Sequence, residues 1–186
     1  MTRLGLNLPN LITLARLLSV PLITWLILGG RYGVAFWVFA GAGLTDALDG
    51  FIAKRFDRRT RLGALLDPIA DKSLLVAVYI ALGTMGELPN WLVILVVFRD
   101  AMIVGGFVLI HLLSAPERFD PLFISKLNTL LQAFLVGFVL ARLGLGADAR
   151  LLTTILIDLT AVTTGLSGLA YLVRWARIFA RSEQPL

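Results

Sequence analysis

The sequence predicts an all-α integral membrane protein: six transmembrane helices in a single bundle, with both termini in the cytoplasm. Three observations carry that reading. Of the 186 residues, 58% are hydrophobic and only 16% charged, and the mean hydropathy is +0.87. A soluble domain holds roughly 45–50% apolar and about 25% charged residues, so a chain this short cannot hide its excess in one core. Six apolar stretches also approach the roughly 20 residues needed to cross a hydrocarbon layer about 30 Å thick. Finally, the basic residues sort to one side of those stretches. A soluble enzyme and a disordered chain are both excluded.

In chain order the predicted spans are residues 10–29, 33–53, 64–86, 90–113, 122–144 and 151–175. Breakers separate them: Gly29-Gly30 with Gly33, the basic run 54–61, Gly86 to Pro89, Pro116 to Pro121, and Gly144-Leu145-Gly146. The connections are too short to fold on their own, and no repeat or low-complexity stretch interrupts them. Residues 1–186 therefore read as one membrane domain. Cysteine is absent, which removes disulfide, thiolate-metal and cysteine-nucleophile chemistry. The net charge of +5 lies mostly beside apolar spans, where anionic lipid headgroups are the natural neighbours and nucleic acid is not expected.

With six spans both termini share a side. That side collects Arg3, Lys54, Arg55, Arg58, Arg59, Arg61, Arg118, Lys126, Arg174, Arg177 and Arg181, against Arg31, Arg142 and Arg150 opposite. The positive-inside rule places the richer side in the cytoplasm. The first span is not expected to be a signal peptide. It contains Arg16 and Pro21, runs long, and lacks a small-residue cleavage site.

The acids are the unusual feature. Asp46 and Asp49 sit in the cytoplasmic half of the second span, and Asp67 and Asp71 open the third. An ionised side chain at a span centre costs about 2.5–3.5 kcal/mol on the insertion scale, so four uncompensated carboxylates would cost on the order of 10 kcal/mol. Asp46, Asp49, Gly50 and Ala53 share one helical face, and Gly63, Asp67 and Asp71 share another. A short connection makes the two helices antiparallel neighbours whose acid faces can meet. All-carboxylate sites suit hard cations such as Mg²⁺ or Mn²⁺. Two such ions balance four carboxylates and suit an in-line phosphoryl displacement. A lone intramembrane Asp can instead be a helix–helix hydrogen bond, but four in register on adjacent helices fit that reading poorly.

Residues 46–71 read Asp46-x-x-Asp49-Gly50-x-x-Ala53-Lys54, eight further residues, then Gly63-x-x-x-Asp67-x-x-x-Asp71. This closely resembles the signature of the CDP-alcohol phosphotransferases, and the likeness extends over nearly the whole chain. One position departs: the family usually has Arg after the Ala, whereas Lys54 stands here, keeping charge without a bidentate phosphate grip. The resemblance implies that an acceptor hydroxyl attacks the β-phosphorus of a CDP-alcohol and releases CMP. It also implies that Asp46, Asp49, Asp67 and Asp71 bind two divalent cations, that Asp71 is the general base, and that the cytidine nucleotide packs against Gly50 and Ala53. A homodimer is implied as well. Pro9-Asn10-x-x-Thr13-x-x-Arg16 is similar to the family's amino-terminal segment, which helps bind the CDP group; Asn10, Thr13 and Arg16 recur every three residues and can converge on one ligand. Thr45 is expected beside the nucleotide.

Arg99 and Asp100 interrupt the fourth span. Adjacent residues point apart on a helix, which weakens an ion pair between them, so Arg99 is read as facing a phosphate-filled cavity. Lys126 opens the fifth span near the same cavity, with interfacial snorkelling as the alternative. Asp100 and Asp158 have no assigned role, and Gly165, Ser167 and Gly168 read as small residues that let helices pack closely. Phe98-Arg99-Asp100-Ala101-Met102-Ile103 and residues 123–132 resemble the CMP-forming cardiolipin synthase branch. That branch implies CDP-diacylglycerol as donor and phosphatidylglycerol as acceptor, in a bacterial inner membrane with the site facing the cytoplasm. The alternative within the family is phosphatidylglycerophosphate synthase, which takes glycerol 3-phosphate. Outside it, an Asp-rich membrane prenyltransferase fits the spacing poorly, and a cation transporter would move ions without releasing CMP.

Overall fold

The computed structural model describes the backbone of residues 8–56, 61–113 and 122–182, and the side chains of residues 14–45, 72–106 and 122–176. All regular structure among the described residues is helical: α1 (Leu8–Leu28), α2 (Tyr32–Phe56), α3 (Arg61–Thr84), α4 (Asn90–Leu113), α5 (Phe123–Leu145) and α6 (Arg150–Ser182). Each predicted span has its helix, with ends shifted by a few residues. The largest departure is α6, which continues beyond residue 175 to Ser182. Nothing in that basic tail breaks a helix, since Lys and Arg are good helix formers and no Gly or Pro intervenes before Pro185. Among the described residues, α5 and the Arg150–Ala176 part of α6 are long and apolar enough to cross a membrane.

The chain divides into two compact units. The first comprises Met1–Leu88 and Val136–Ala149; the second comprises Pro89–Leu135 and Arg150–Leu186. In the first, α1 packs on both α2 and α3. Its buried side chains are almost wholly apolar: Ile23 and Ile27 from α1, Ala35 from α2, Val78, Tyr79 and Leu82 from α3, and Val139 and Leu140 from the end of α5. Three helices of this unit end alike. Gly30, Gly86 and Gly146 all have positive φ, and the following amides Arg31 N, Glu87 N and Ala147 N donate back to Leu26, Leu82 and Arg142 carbonyls. This is the Schellman arrangement, which satisfies carbonyls a helix end leaves open. Glu87 also accepts from Arg142 Nη2 at 2.9 Å, and the Arg31 guanidinium lies 5.4 Å from the Trp25 ring centre.

The second unit is built differently. Here α4 packs on α6, with the Trp175 indole lying against the bare Cα of Gly106. The buried face of α6 carries hydroxyls at helical spacing, namely Thr160, Thr164 and Ser167, followed by Tyr171. On α5, Asn128 faces them, and Gln132 one turn further on is buried as well. Thr163 and Thr164 donate to Asn128 Oδ1 at 2.9 and 2.8 Å, so one amide oxygen ties two successive residues of α6. The other face of α5 exposes Phe123, Leu127, Leu130 and Phe134, an apolar stripe at positions i, i+4, i+7 and i+11.

Two stability outcomes follow from this packing. A Cβ on Gly144 would lie 2.6 Å from Gly33 Cα and 2.8 Å from Gly33 N, so α2 must move away from α5 to admit it. Gly144→Ala is expected to destabilise by about 1–3 kcal/mol, the usual range for overpacking. Gly41→Ala, which meets open space, should be neutral or mildly stabilising. Asn128→Ala leaves the fully buried Thr164 hydroxyl without its partner and should cost about 1–2 kcal/mol. Thr154→Ala, which removes an exposed hydroxyl bonded to its own helix, should stay within about 0.5 kcal/mol. Thermal unfolding in detergent measures all four.

Candidate active site

The four acids occupy two helices. Asp46 and Asp49 lie on α2 one turn apart, and Asp67 and Asp71 lie on α3 one turn apart. Their side chains fall outside the described residues, as do those of Gly50, Ala53 and Lys54 on α2, Gly63 on α3, and Asn10 and Thr13 on α1. The donor set can still be judged by its chemistry. Four carboxylates, no cysteine and a single histidine far along the chain, His111, make an all-oxygen set. Such a set fits a hard divalent cation such as Mg²⁺ or Mn²⁺ and not a thiolate-seeking metal.

Two predicted nucleotide contacts of the same unit have described side chains. Thr45 is exposed at the residue before Asp46. Its hydroxyl donates to the Ala42 carbonyl at 2.8 Å, which fixes the rotamer and leaves lone pairs of the oxygen facing outward. Arg16 is buried on α1, 4% exposed, and its carbonyl accepts from the Ser19 hydroxyl at 2.6 Å.

In the second unit the structure brings together residues that the sequence reading kept apart. Arg99 and Asp100 do form an ion pair: Arg99 Nη1 donates to Asp100 Oδ1 at 2.5 Å, with both side chains buried. Neighbouring Cα–Cβ bonds diverge by about 100° on a helix, but the arginine stem is long enough to bring its head back to the short aspartate. The same guanidinium reaches two other helices. Nη2 donates to Ser125 Oγ on α5 at 2.6 Å, and Nε and Nη2 both donate to Ser167 Oγ on α6 at 3.2 and 2.5 Å. Lys126, the residue after Ser125, is exposed at the first turn of α5 beside the Phe123 and Leu127 stripe.

Sequence reasoning missed Ser125 and Ser167 as partners of Arg99. Ser167 read as a packing residue because its neighbours Gly165 and Gly168 are small. The available signal was the helical spacing of Thr160, Thr164 and Ser167 within an apolar span, a hydroxyl-lined face that needs buried polar partners.

Comparison with known proteins places the chain in a family. The CDP-alcohol phosphatidyltransferase family model matches residues 6–173. The chain is 37% identical, over 95% of its length, to the rice (Oryza sativa subsp. japonica) protein named CDP-diacylglycerol–glycerol-3-phosphate 3-phosphatidyltransferase 1, chloroplastic, of which it spans 59%. It is 35% identical to the rat (Rattus norvegicus) cardiolipin synthase (CMP-forming), with 89% of this chain and 60% of that protein covered. With the probable phosphatidylglycerophosphate synthase of Mycobacterium tuberculosis it shares 31% identity over 92% of this chain and 82% of the other. The chain thus spans about three fifths of the rice and rat relatives. With the match running from residue 6 to residue 173, the chain belongs to the CDP-alcohol phosphatidyltransferase family.

Proposed function

We propose that this chain is a membrane phosphatidyltransferase that joins the phosphatidyl group of CDP-diacylglycerol to phosphatidylglycerol, giving cardiolipin and CMP. The observation that carries the reading is the spacing of Asp46, Asp49, Asp67 and Asp71 on two helices of a chain in this family. The name of the rat relative supports cardiolipin and CMP as products and, with them, a lipid acceptor. So does α5, where an exposed lysine adjoins an exposed apolar stripe, an arrangement suited to a molecule with both a phosphate and acyl chains. A second reading, phosphatidylglycerophosphate synthesis from glycerol 3-phosphate, is favoured by the names of the rice and mycobacterial relatives.

Six helices crossing a bacterial inner membrane, both termini cytoplasmic, fit the sorting of basic residues and the apolar side chains exposed along every helix, among them Leu18, Trp37, Ile80, Ile94, Leu130 and Leu169. The acids then stand at the cytoplasmic headgroup level, where a lipid donor presents its pyrophosphate. Pairing of two copies as a homodimer is part of the same reading.

The residues divide the chemistry among them. Asp46, Asp49, Asp67 and Asp71 would hold two divalent cations, Mg²⁺ or Mn²⁺, which when bound neutralise the pyrophosphate and the developing charge. Asn10, Thr13, Arg16 and Thr45 bind the cytidine nucleotide, Gly50 and Ala53 leave room for it against the α2 backbone, and Lys54 and Lys126 meet phosphate. Asp71 accepts the proton of the acceptor hydroxyl as its oxygen bonds to the β-phosphorus. The bond from that phosphorus to the bridging oxygen breaks, and CMP leaves with the electron pair.

Two outcomes test this reading. Asp67→Asn, which keeps shape and removes charge, should lower turnover by about a hundredfold or more without unfolding the protein, and EDTA should abolish the wild-type rate until Mg²⁺ or Mn²⁺ is restored. Asp71→Asn should fall by about 10²–10⁴, the range for a general base, while CDP-diacylglycerol binding persists. Near-normal rates in EDTA would defeat the metal assignment. For the acceptor, CDP-diacylglycerol is offered with phosphatidylglycerol or glycerol 3-phosphate separately, and products are read by mass spectrometry. Cardiolipin and CMP are expected from the first pair. Phosphatidylglycerophosphate from the second, with phosphatidylglycerol inert, would establish the second reading instead.

A further inference from the structure

We infer that Arg99 is a positioning residue: it does not touch the acceptor but anchors the first turn of α5 through Ser125, and so aims Lys126 at the acceptor's phosphate. The inference rests on the reading above that Lys126 meets that phosphate.

The argument begins with the donors of the guanidinium. Arginine has five N–H groups in a rigid fork. Nε and one Nη2 hydrogen go to Ser167 Oγ, the other Nη2 hydrogen to Ser125 Oγ, and one Nη1 hydrogen to Asp100. A single Nη1 hydrogen is left without a partner among the described residues. The side chain is also 2% exposed. A group that binds an arriving phosphate ordinarily offers a bidentate edge to it. Both bidentate edges of this guanidinium, the Nε–Nη2 edge and the Nη1–Nη2 edge, already have protein oxygens on them.

The surroundings are shaped for an anchor. Gly168 lies where the arginine stem crosses to α6: a Cβ there would stand 3.8 Å from Arg99 Cγ. The adjacent Ser167 then takes two N–H groups on one oxygen. With Asp100 on its own helix and Ser167 on α6, the guanidinium is immobilised from two sides, and its remaining reach is to Ser125 on α5. That contact falls where α5 begins. Ser125 N and Lys126 N both donate to the Leu122 carbonyl, so the two residues share the first turn and move together. Lys126 is exposed while Ser125 is partly buried, so one turn of helix offers an anchored side and a presenting side. A lysine is a point charge on a flexible stem. Its effectiveness toward a fixed anion depends on where its Cα is held.

The test uses the full chain in detergent mixed micelles of CDP-diacylglycerol and phosphatidylglycerol, reading KM for each substrate, kcat and the unfolding temperature. Lys126→Ala should raise the phosphatidylglycerol KM about tenfold, equivalent to about 1.4 kcal/mol. Ser125→Ala removes only the hydroxyl that Arg99 grips. It should raise the same KM several-fold and leave the CDP-diacylglycerol KM in place, whereas a general loosening of the fold would move both. Ser125→Thr, which keeps the oxygen, should restore the wild-type value. In the Lys126→Ala background, Ser125→Ala should add nothing, because the two act as one unit. An unchanged acceptor KM in Ser125→Ala, with the Lys126→Ala effect present, overturns the positioning role alone. Additive effects overturn it too, since Ser125 would then touch the acceptor itself. An unchanged acceptor KM in Lys126→Ala overturns both the inference and the lysine assignment beneath it.

Discussion

Compensation of buried charge is the constraint on which the second unit depends. Arg99 is among the largest fully buried side chains, and an ionised guanidinium out of water is tolerated only when its charge is paired and its N–H groups are bonded. Asp100 supplies the opposite charge, but one carboxylate cannot satisfy five donors. The remaining bonds must come from other helices, and Ser125 and Ser167 provide them. The cost of burying one arginine is thereby converted into a tie among α4, α5 and α6. Removing one partner of such a pair leaves an uncompensated charge and costs about 3–5 kcal/mol, far more than a surface ion pair is worth. The Asn128 amide repeats the logic with neutral groups: its buried oxygen draws hydroxyls from two successive residues of α6.

The first unit meets a different demand. Its described core is mostly apolar, and packing of Ile, Val and Leu holds α1 against α2 and α3. What must be satisfied there is the backbone. The last carbonyls of a helix have no partner within it, and three glycine caps close α1, α3 and α5 by turning the chain back on itself. Close approach of Gly33 and Gly144 brings α2 and α5 nearly into backbone contact. In a lipid setting, which supplies no hydrophobic force between helices, such intimacy would raise van der Waals contact where it is the main attraction available. An apolar unit thus carries the helices on which the acids stand, and a polar unit carries the arginine cluster.

Most of the fold was legible because it follows from one-dimensional signals. Apolar length marks the helices, and Gly-Gly, Gly-Leu-Gly and the Pro-bounded stretches mark their ends, so the six expected spans and the six helices among the described residues agree in order and nearly in bounds. The tail of α6 was missed because a span ends where lipid ends, whereas a helix ends only where the backbone is capped or broken. The acid spacing was legible too, as i, i+3 and i, i+4 relations on two helices; their side-chain arrangement lies outside the described residues. The Arg99–Asp100 pair was misjudged because face geometry applies to short side chains and an arginine spans several ångströms beyond its Cβ. The hydroxyl face of Thr160, Thr164 and Ser167 was legible as spacing, but that Ser125 and Ser167 meet Arg99 was not, for a plainer reason. A serine in an apolar helix has the same appearance whether it fills space or accepts a buried hydrogen bond, and only the tertiary fold says which.

If the proposed function holds, the pairing of Arg99 also bears on which acceptor charge the protein can match. The sequence reading expects Arg99 and Lys126 at one cavity, which would offer two cations to an incoming phosphate. Once Asp100 neutralises the first and serine oxygens occupy its bidentate edges, the exposed cation at the start of α5 is Lys126. One ammonium matches the single negative charge of a phosphodiester. A phosphomonoester brings nearly two charges and a third acceptor oxygen, and it gains nothing from the neighbouring apolar stripe of Phe123, Leu127, Leu130 and Phe134. For a lipid the same stripe accompanies the acyl chains, where apolar contact adds roughly 25 cal/mol per Å² removed from water only when the chain leaves water, and little when it exchanges one hydrocarbon neighbour for another. On the proposed reading, the stripe guides the depth and orientation of a lipid acceptor more than its affinity, and the charge match at Lys126 is what would separate the two acceptors.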